Sequence, residues 1–427
     1  MTLVWPDAPG DTLAIRGARV IDPGSDLDGA FDVTIEDGII VAIDPAVELA
    51  RGLVLAPAFV DPHVHLRVPG REDEETIASG TAAAAGGGYC AILAMPNTDP
   101  VVDSAAVLGA LLEQAREDAV IPTGFMASIS KGLEGQELTE MAELARLGAA
   151  AFTDDGRPVV SAGLMQRALQ YSAVTGRLLA LHEEEPTLSR DGEMHDGAVS
   201  AELGLAGWPS VAESVMIGRD CELAAYEQRP LHIMHLSARE SVAAVRAAQA
   251  RGVAVSAEVS PHHLCLTDDT VRTLDTNRKM NPPLRSEDDR QALLEGLRDG
   301  TIACIATDHA PHARHEKDAP FEEAPFGVTG LETAFAAIYT HLVQPGELDL
   351  GLVLERMSAG PARLFGLPVP RIEVGESANV VLLDLDAAWT VTEAGFASKS
   401  VNSWLLGETL NGTVVKTVAD GRVVYAA

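Results

Sequence analysis

The stretch AFVDPHVHL, residues 58–66, sets an aspartate, a proline and two histidines in an apolar run. The run reads as a buried strand. Side chains alternate along a strand, so His63 and His65, two apart, point to the same face at its end. Seven more apolar runs follow: YCAILAMPN (89–97), IPTGFMASI (121–129), GAAAFTDD (148–155), RLLALHE (177–183), PLHIMHLS (230–237), VAVSAEVS (253–260) and TIACIATDH (301–309). Helix-like stretches separate most of them, such as AAVLGALLEQAREDA (105–119) and ARESVAAVRAAQARG (238–252). Eight strands alternating with helices over about 310 residues predict an α/β fold, a (β/α)8 TIM barrel. A doubly wound open sheet is the rival, but no G-x-G-x-x-G follows the first strand.

Both ends of the chain have a different texture. TLAIRGARVID (12–22) and DVTIEDGIIVAID (32–44) near the start, and NVVLLDLD (379–386) and TVVKTVADGRVVYA (413–426) near the end, are β-rich. Each end carries an Asp-Gly hairpin signal, Asp37-Gly38 and Asp420-Gly421. The expected organisation is a barrel over 57–366 and one small β-sandwich domain built from 1–56 and 367–427.

The formal charge of −32 argues against a nucleic-acid partner, because phosphate binding needs a basic footprint. An anionic ligand would need a local positive pocket set against that field. Lysines number only five: Lys131, Lys279, Lys317, Lys399 and Lys416. Cys90, Cys221, Cys265 and Cys304 form no C-x-x-C pair and read as reduced core thiols, which suits a cytoplasmic protein. The start, MTLVWPDAPGDTLAIRG, lacks the basic and apolar regions of a signal peptide, and no apolar run reaches membrane-spanning length.

In a barrel, catalytic side chains project from the C-terminal ends of strands. His63 and His65 end the first run, Asp154 and Asp155 the fourth, His182 the fifth, His235 the sixth and Asp308 the eighth. Imidazole and carboxylate groups converging on one mouth suit zinc. One strand-end histidine alone is more often a satisfied polar group than a ligand; the joint pattern over five strands is what points to metal. The other histidines divide. His232 should face the far side of its strand, and His309 should point away from Asp308. His262 and His263 read as structural, His195 and His341 as surface residues. His312 and His315 lie in a long loop, from Ala310 to about Gly330, placed to cover the site as a candidate lid.

Together DPHVHLR, MPNT, FTDDG, HLS, MNPPLR and ATDHAPH…EK…PFG resemble the amidohydrolase superfamily, and more narrowly its bacterial type I dihydroorotases. That resemblance implies a zinc-dependent enzyme interconverting dihydroorotate and N-carbamoyl-L-aspartate, the ring-closing step of pyrimidine synthesis. It implies that His63, His65 and Asp308 hold the more buried zinc and His182 and His235 a second, two ions being expected. The bridging group, a carboxylated lysine in many relatives, falls on Asp155. Substrate contacts fall on Arg67, Asn97, Asn281, His312, Phe326 and Gly327, and Asp308 doubles as the catalytic base. A homodimer is expected, with association to aspartate transcarbamoylase an open possibility. The alternatives are a hydantoinase or dihydropyrimidinase-like cyclic amidase, or an inactive scaffold for aspartate transcarbamoylase. The missing lysine and Arg67 argue against the first, and the full ligand set against the second.

The residue types suit that chemistry. Arg67 stays in phase with His63 and His65, and a guanidinium binds a carboxylate by a forked pair of hydrogen bonds. Asn97 and Asn281 can each donate and accept, as ring amides require. Alternation sends Asp154 and Asp155 to opposite sides of their strand. Packing Phe152 outward leaves Asp155 facing the axis and Asp154 as a turn or supporting residue.

Overall fold

The computed structural model describes residues 1–427. The chain opens with β1 (Leu13–Asp22), β2 (Leu27–Glu36), β3 (Ile39–Pro45) and β4 (Leu53–Pro57). Next come β5 (Phe59–Val64), β6 (Tyr89–Ala94), β7 (Thr123–Phe125) and β8 (Leu179–Leu181). A two-residue pair, β9 (Met194–His195) and β10 (Gly207–Trp208), precedes β11 (Leu231–Ile233), β12 (Val255–Val259) and β13 (Cys304–Ile305). The chain closes with β14 (Val380–Thr390), β15 (Thr409–Ala419) and β16 (Arg422–Ala426).

Strands from the two ends do meet. They form a single hydrogen-bonded sheet of seven strands, in the order β16-β15-β14-β4-β1-β2-β3. Bulges interrupt β1–β2, β2–β3, β14–β15 and β15–β16, and such bulges bend and twist a sheet locally. Ile15, Val20, Val33, Ile35, Leu55, Val380 and Val418 share one apolar cluster on it. The two Asp-Gly turns anchor the assembly. Asp37, Gly38, Asp420 and Gly421 all have positive φ, and a Cβ on Gly421 would sit 2.4 Å from the Gly38 Cα. Only glycine allows that approach. Residues 2–4 leave the sheet altogether: Val4 pairs with Thr123 of β7.

The middle of the chain is α/β with parallel pairing. β5, β6 and β7 form one run, and β8, β11, β12 and β13 another. The fourth apolar run supplies no full strand. Phe152 alone bridges Ala127 on one side and Leu179 on the other, and Val64 bridges His309. Helices lie between the strands and bury one face. Ala105–Asp118 buries Leu108, Leu111, Leu112 and Ala115, a helical spacing of three and four. These faces and the strands form one cluster of 81 buried residues. Truncating a fully buried leucine such as Leu108 costs about 2–5 kcal/mol. No helix is long and apolar enough to cross a membrane. All four cysteines are free, and burial pushes the Cys90 thiol up to about 12.

Candidate metal centre and substrate cavity

Because the strands are parallel, their C-terminal ends open on one mouth. His65 and Arg67 follow β5, Asn97 follows β6, His182 follows β8, His235 follows β11, and Asp308 follows β13. At three of these points the backbone leaves the strand abruptly: Arg67, His235 and Asp308 have φ of 60°, 32° and 50°. Non-glycine residues rarely adopt that region, and functional sites are where such strain collects.

Asp155 lies at the centre of the cluster. Its Oδ1 is 3.7 Å from His63 Nε2, 3.7 Å from His235 Nε2 and 3.9 Å from His182 Nδ1. Its Oδ2 is 3.5 Å from His65 Nε2. Asp308 Oδ1 stands 3.4 Å from His63 Nε2 and 3.2 Å from His65 Nε2. All six side chains are buried. Most of these separations are long for hydrogen bonds. They match donors arranged around a shared ion, since ligands about 2.1 Å from a tetrahedral zinc lie about 3.4 Å apart.

The outer face of each ring fixes which nitrogen is offered. His63 Nδ1 donates to Glu258 at 2.6 Å, His65 Nδ1 to Asn97 Oδ1 at 2.9 Å, and His182 Nε2 to Glu184 at 3.1 Å. Such partners orient a metal-binding imidazole and raise its basicity. The inward nitrogens then carry lone pairs. His63 Nε2 is fully buried without a hydrogen-bond partner. His182 Nδ1 and His235 Nε2 face each other at 3.0 Å. A buried acceptor left unpaired, as His63 Nε2 is, is costly unless a cation fills the space it faces. The donor set therefore fits metal.

The electrostatics agree. Burial opposes the charge on Asp155, but His235, His63, His65 and His182 outweigh it and hold the carboxyl well below the usual carboxylate range. Asp308 is lowered in the same way, chiefly by His63 and His65 acting against burial. Burial depresses His63, yet Asp308, Glu258 and Asp155 raise it to about 10. A field that favours an added proton there favours a cation as well.

A cavity of about 300 Å³ opens onto this cluster. His65, Asp155, His182, His235 and Asp308 form its floor, and Arg67, Asn97, Asn281, His312, Phe326 and Gly327 line its sides. Arg67 is only 8% exposed. Its Nε is held by Pro311 O and Glu74, each at 3.1 Å, and its Nη end lies along the cavity, with Nη2 3.3 Å from His312 Nε2. Asn281 Oδ1 is buried with no partner. Asn97 faces inward as well, its Nδ2 donating to Asp155 Oδ2 at 3.0 Å. His312 Nε2 donates to Phe326 O at 2.7 Å. Gly327 has φ of 116°, and a Cβ there would meet the Ala310 Cβ at 2.7 Å.

Asp154 takes no part in the cluster. Its carboxylate accepts from Ile129 N and Ser130 N, 2.8 and 2.9 Å away, and from the Ser130 hydroxyl. His263 bonds Ser260 and Pro282 O, and neither it nor His262 lines the cavity. His309 turns to Glu75. His195, expected at the surface, is half-buried in the β9–β10 pair, 3.3 Å from Arg285 Nη1. His232 is fully buried and bonds Glu258, so it braces the carboxylate that orients His63. Glu258 and Asp61 escaped the sequence reading. Asp61 accepts from His63 N, Thr307 N and Thr307 Oγ1. Both had a signal, a lone acid inside an apolar run. Lys279 and Lys317 were also missed. Both are buried, Lys279 behind the covering loop and Lys317 within it, donating to Phe321 O and Pro325 O.

Known proteins resemble this chain along nearly its whole length. The dihydro-orotase-like family pattern matches residues 52–241. A dihydroorotase of Trichlorobacter lovleyi is 43% identical over 97% of this chain and 99% of its own. One of Anaeromyxobacter dehalogenans is 46% identical over 97% of this chain and 98% of its own. Among solved structures, the L-hydantoinase (dihydropyrimidinase) of Arthrobacter aurescens superposes with a TM-score of 0.86 at 25% identity, covering 97% of this chain and 96% of that one. The fold and the site thus define a hydrolase of the class that acts on carbon–nitrogen bonds in cyclic amides, whose members depend on metal. Within that class, the chain belongs to the dihydroorotase family.

Proposed function

We propose that this chain is a zinc-dependent dihydroorotase, interconverting dihydroorotate and N-carbamoyl-L-aspartate. The reading includes a barrel closed by the Phe152 and Val64–His309 bridges. It includes the division into a barrel over 57–366 and a β domain from 1–56 and 367–427, its single sheet bent on itself at the bulges as a sandwich. It also includes a cytoplasmic homodimer serving pyrimidine synthesis. The observation that carries it is Arg67: a buried guanidinium turned to a cavity whose floor is the ligand cluster, in a chain of net charge −32. That is where a substrate with a ring amide and a carboxylate finds partners for both. A hydantoin ring has no such carboxylate, and no lysine lines the cavity.

His63, His65 and Asp308 would hold one zinc, His182 and His235 a second, with Asp155 between them. When bound, zinc lowers the pKa of water to about 7 and polarises an amide carbonyl. The remaining work falls to the chain. Arg67 anchors the carboxylate. Asn281 Oδ1, unpaired as it stands, accepts from a ring N–H, and Asn97 and His312 fix the ring against Phe326 and Gly327. Asp308, held anionic, takes the proton of the attacking water on its carboxylate. As the ring C–N bond breaks, it delivers that proton to the leaving nitrogen. In the closing direction it removes a proton from the carbamoyl nitrogen.

The test is to offer purified protein both dihydroorotate and hydantoin. Opening of dihydroorotate supports the reading; opening of hydantoin alone overturns it.

A further inference from the structure

The segment Ser398–Ser403 comes from far outside the apolar runs that build the site, yet it touches both loops that carry substrate-side residues. It alternates like a strand: Ser398, Ser400 and Asn402 are buried, Lys399 is exposed and Val401 half-buried. These three side chains all turn to the two loops, whereas the Ser403 hydroxyl, also buried, accepts from Leu405 N. Ser398 Oγ donates to Glu75, and Ser400 Oγ donates to Glu74 O at 2.7 Å. Glu74 is the carboxylate beside Arg67.

Asn402 does most. Its Nδ2 donates to Ala310 O at 3.1 Å and to Gly327 O at 3.2 Å, and its Oδ1 accepts from His312 N at 3.0 Å. Its own carbonyl accepts from Thr329 N at 3.0 Å. One amide thus ties the outgoing and returning ends of the covering loop. Ala310, His312 and Gly327 all line the cavity; Asn402 does not. Ala310 N still donates to Val328 O and Gly327 N to Lys279 O, each at 2.8 Å, but without Asn402 three buried backbone groups lose their partners.

We propose that Asn402 is a positioning residue for substrate: it sets His312 and the Phe326–Gly327 segment at the cavity wall and acts on substrate affinity, not on the metal cluster. This rests on the reading that the cavity takes dihydroorotate. The experiment measures KM, kcat and metal content for wild type, Asn402→Ala and Asn402→Asp. The aspartate keeps the size and the acceptor for His312 N, but faces two carbonyls without donors. Expected is a KM raised about tenfold or more, with kcat within about threefold and metal content unchanged. A folded variant with wild-type KM overturns the proposal, as does loss of metal at unchanged KM. Failure of both variants to fold also overturns it, by making the role purely structural. A wild type that leaves dihydroorotate unopened defeats the substrate reading instead.

Discussion

The floor and the walls of the cavity are held by different means. The floor side chains leave the ends of parallel strands, and three of the four imidazoles are each braced by one partner: buried Glu258 for His63, half-buried Asn97 for His65 and half-buried Glu184 for His182. The walls hang on loops. Arg67 depends on Glu74 and Pro311, and His312 and Gly327 on Asn402. A strand fixes a side chain by its ladder, so the floor needs only orientation. A loop has no ladder, so its backbone groups must be met one by one from elsewhere in the chain. The floor should therefore govern turnover and metal, and the walls affinity.

Changing Asp308→Asn should give the largest effect. It removes the proton carrier, and kcat should fall by about 10²–10⁴-fold while KM moves little. Steady-state kinetics check this; a loss confined to KM would erase the distinction between floor and walls. Arg67→Lys keeps the charge but not the fork. It should raise KM for dihydroorotate by about tenfold with kcat nearly kept. An equal fall in kcat would place Arg67 in the chemistry.

The smallest effect concerns the start of the strap that carries Asn402. Glu332 accepts from Ala397 N at 2.7 Å and Ser398 N at 3.4 Å. Burial nonetheless raises its pKa to about 7. The folded state then binds more protons than the unfolded one between the ordinary glutamate value and about 7. Through this group, stability falls as pH rises across that window. Glu332→Gln should flatten that part of the profile, read as the difference in Tm from wild type at several pH values. Parallel profiles would show that Glu332 titrates normally.

Sequence carried the floor further than the walls. Phase alone set His63 and His65 on one face, and strand ends gathered His182, His235 and Asp308. It also separated Asp154, now seen bonding Ser130, from Asp155. The braces were less legible because they are remote: Glu258 reaches His63 across 195 residues, and Asn402 reaches His312 across 90. Periodicity speaks of neighbours along the chain, not of which distant segment arrives. The fourth apolar run shrank to the two bridges at Phe152, just before Asp154 and Asp155 turn to their own partners. The β-rich ends were recognisable by their Asp-Gly turns. Their joining into one continuous ladder depends on β4, which pairs antiparallel with β14 and parallel with β1, and no local signal records either pairing.

Asp155 sits among four histidines of the cluster, whereas its neighbour Asp154 turns away to Ser130. Metal content and dihydroorotate hydrolysis, measured side by side for wild type, Asp155→Asn and Asp154→Asn, test that contrast directly. Expected are metal and activity in wild type, loss of both in Asp155→Asn, and both largely kept in Asp154→Asn at some cost in Tm. Equal losses in the two variants, or a wild type with neither metal nor activity, would contradict that expectation.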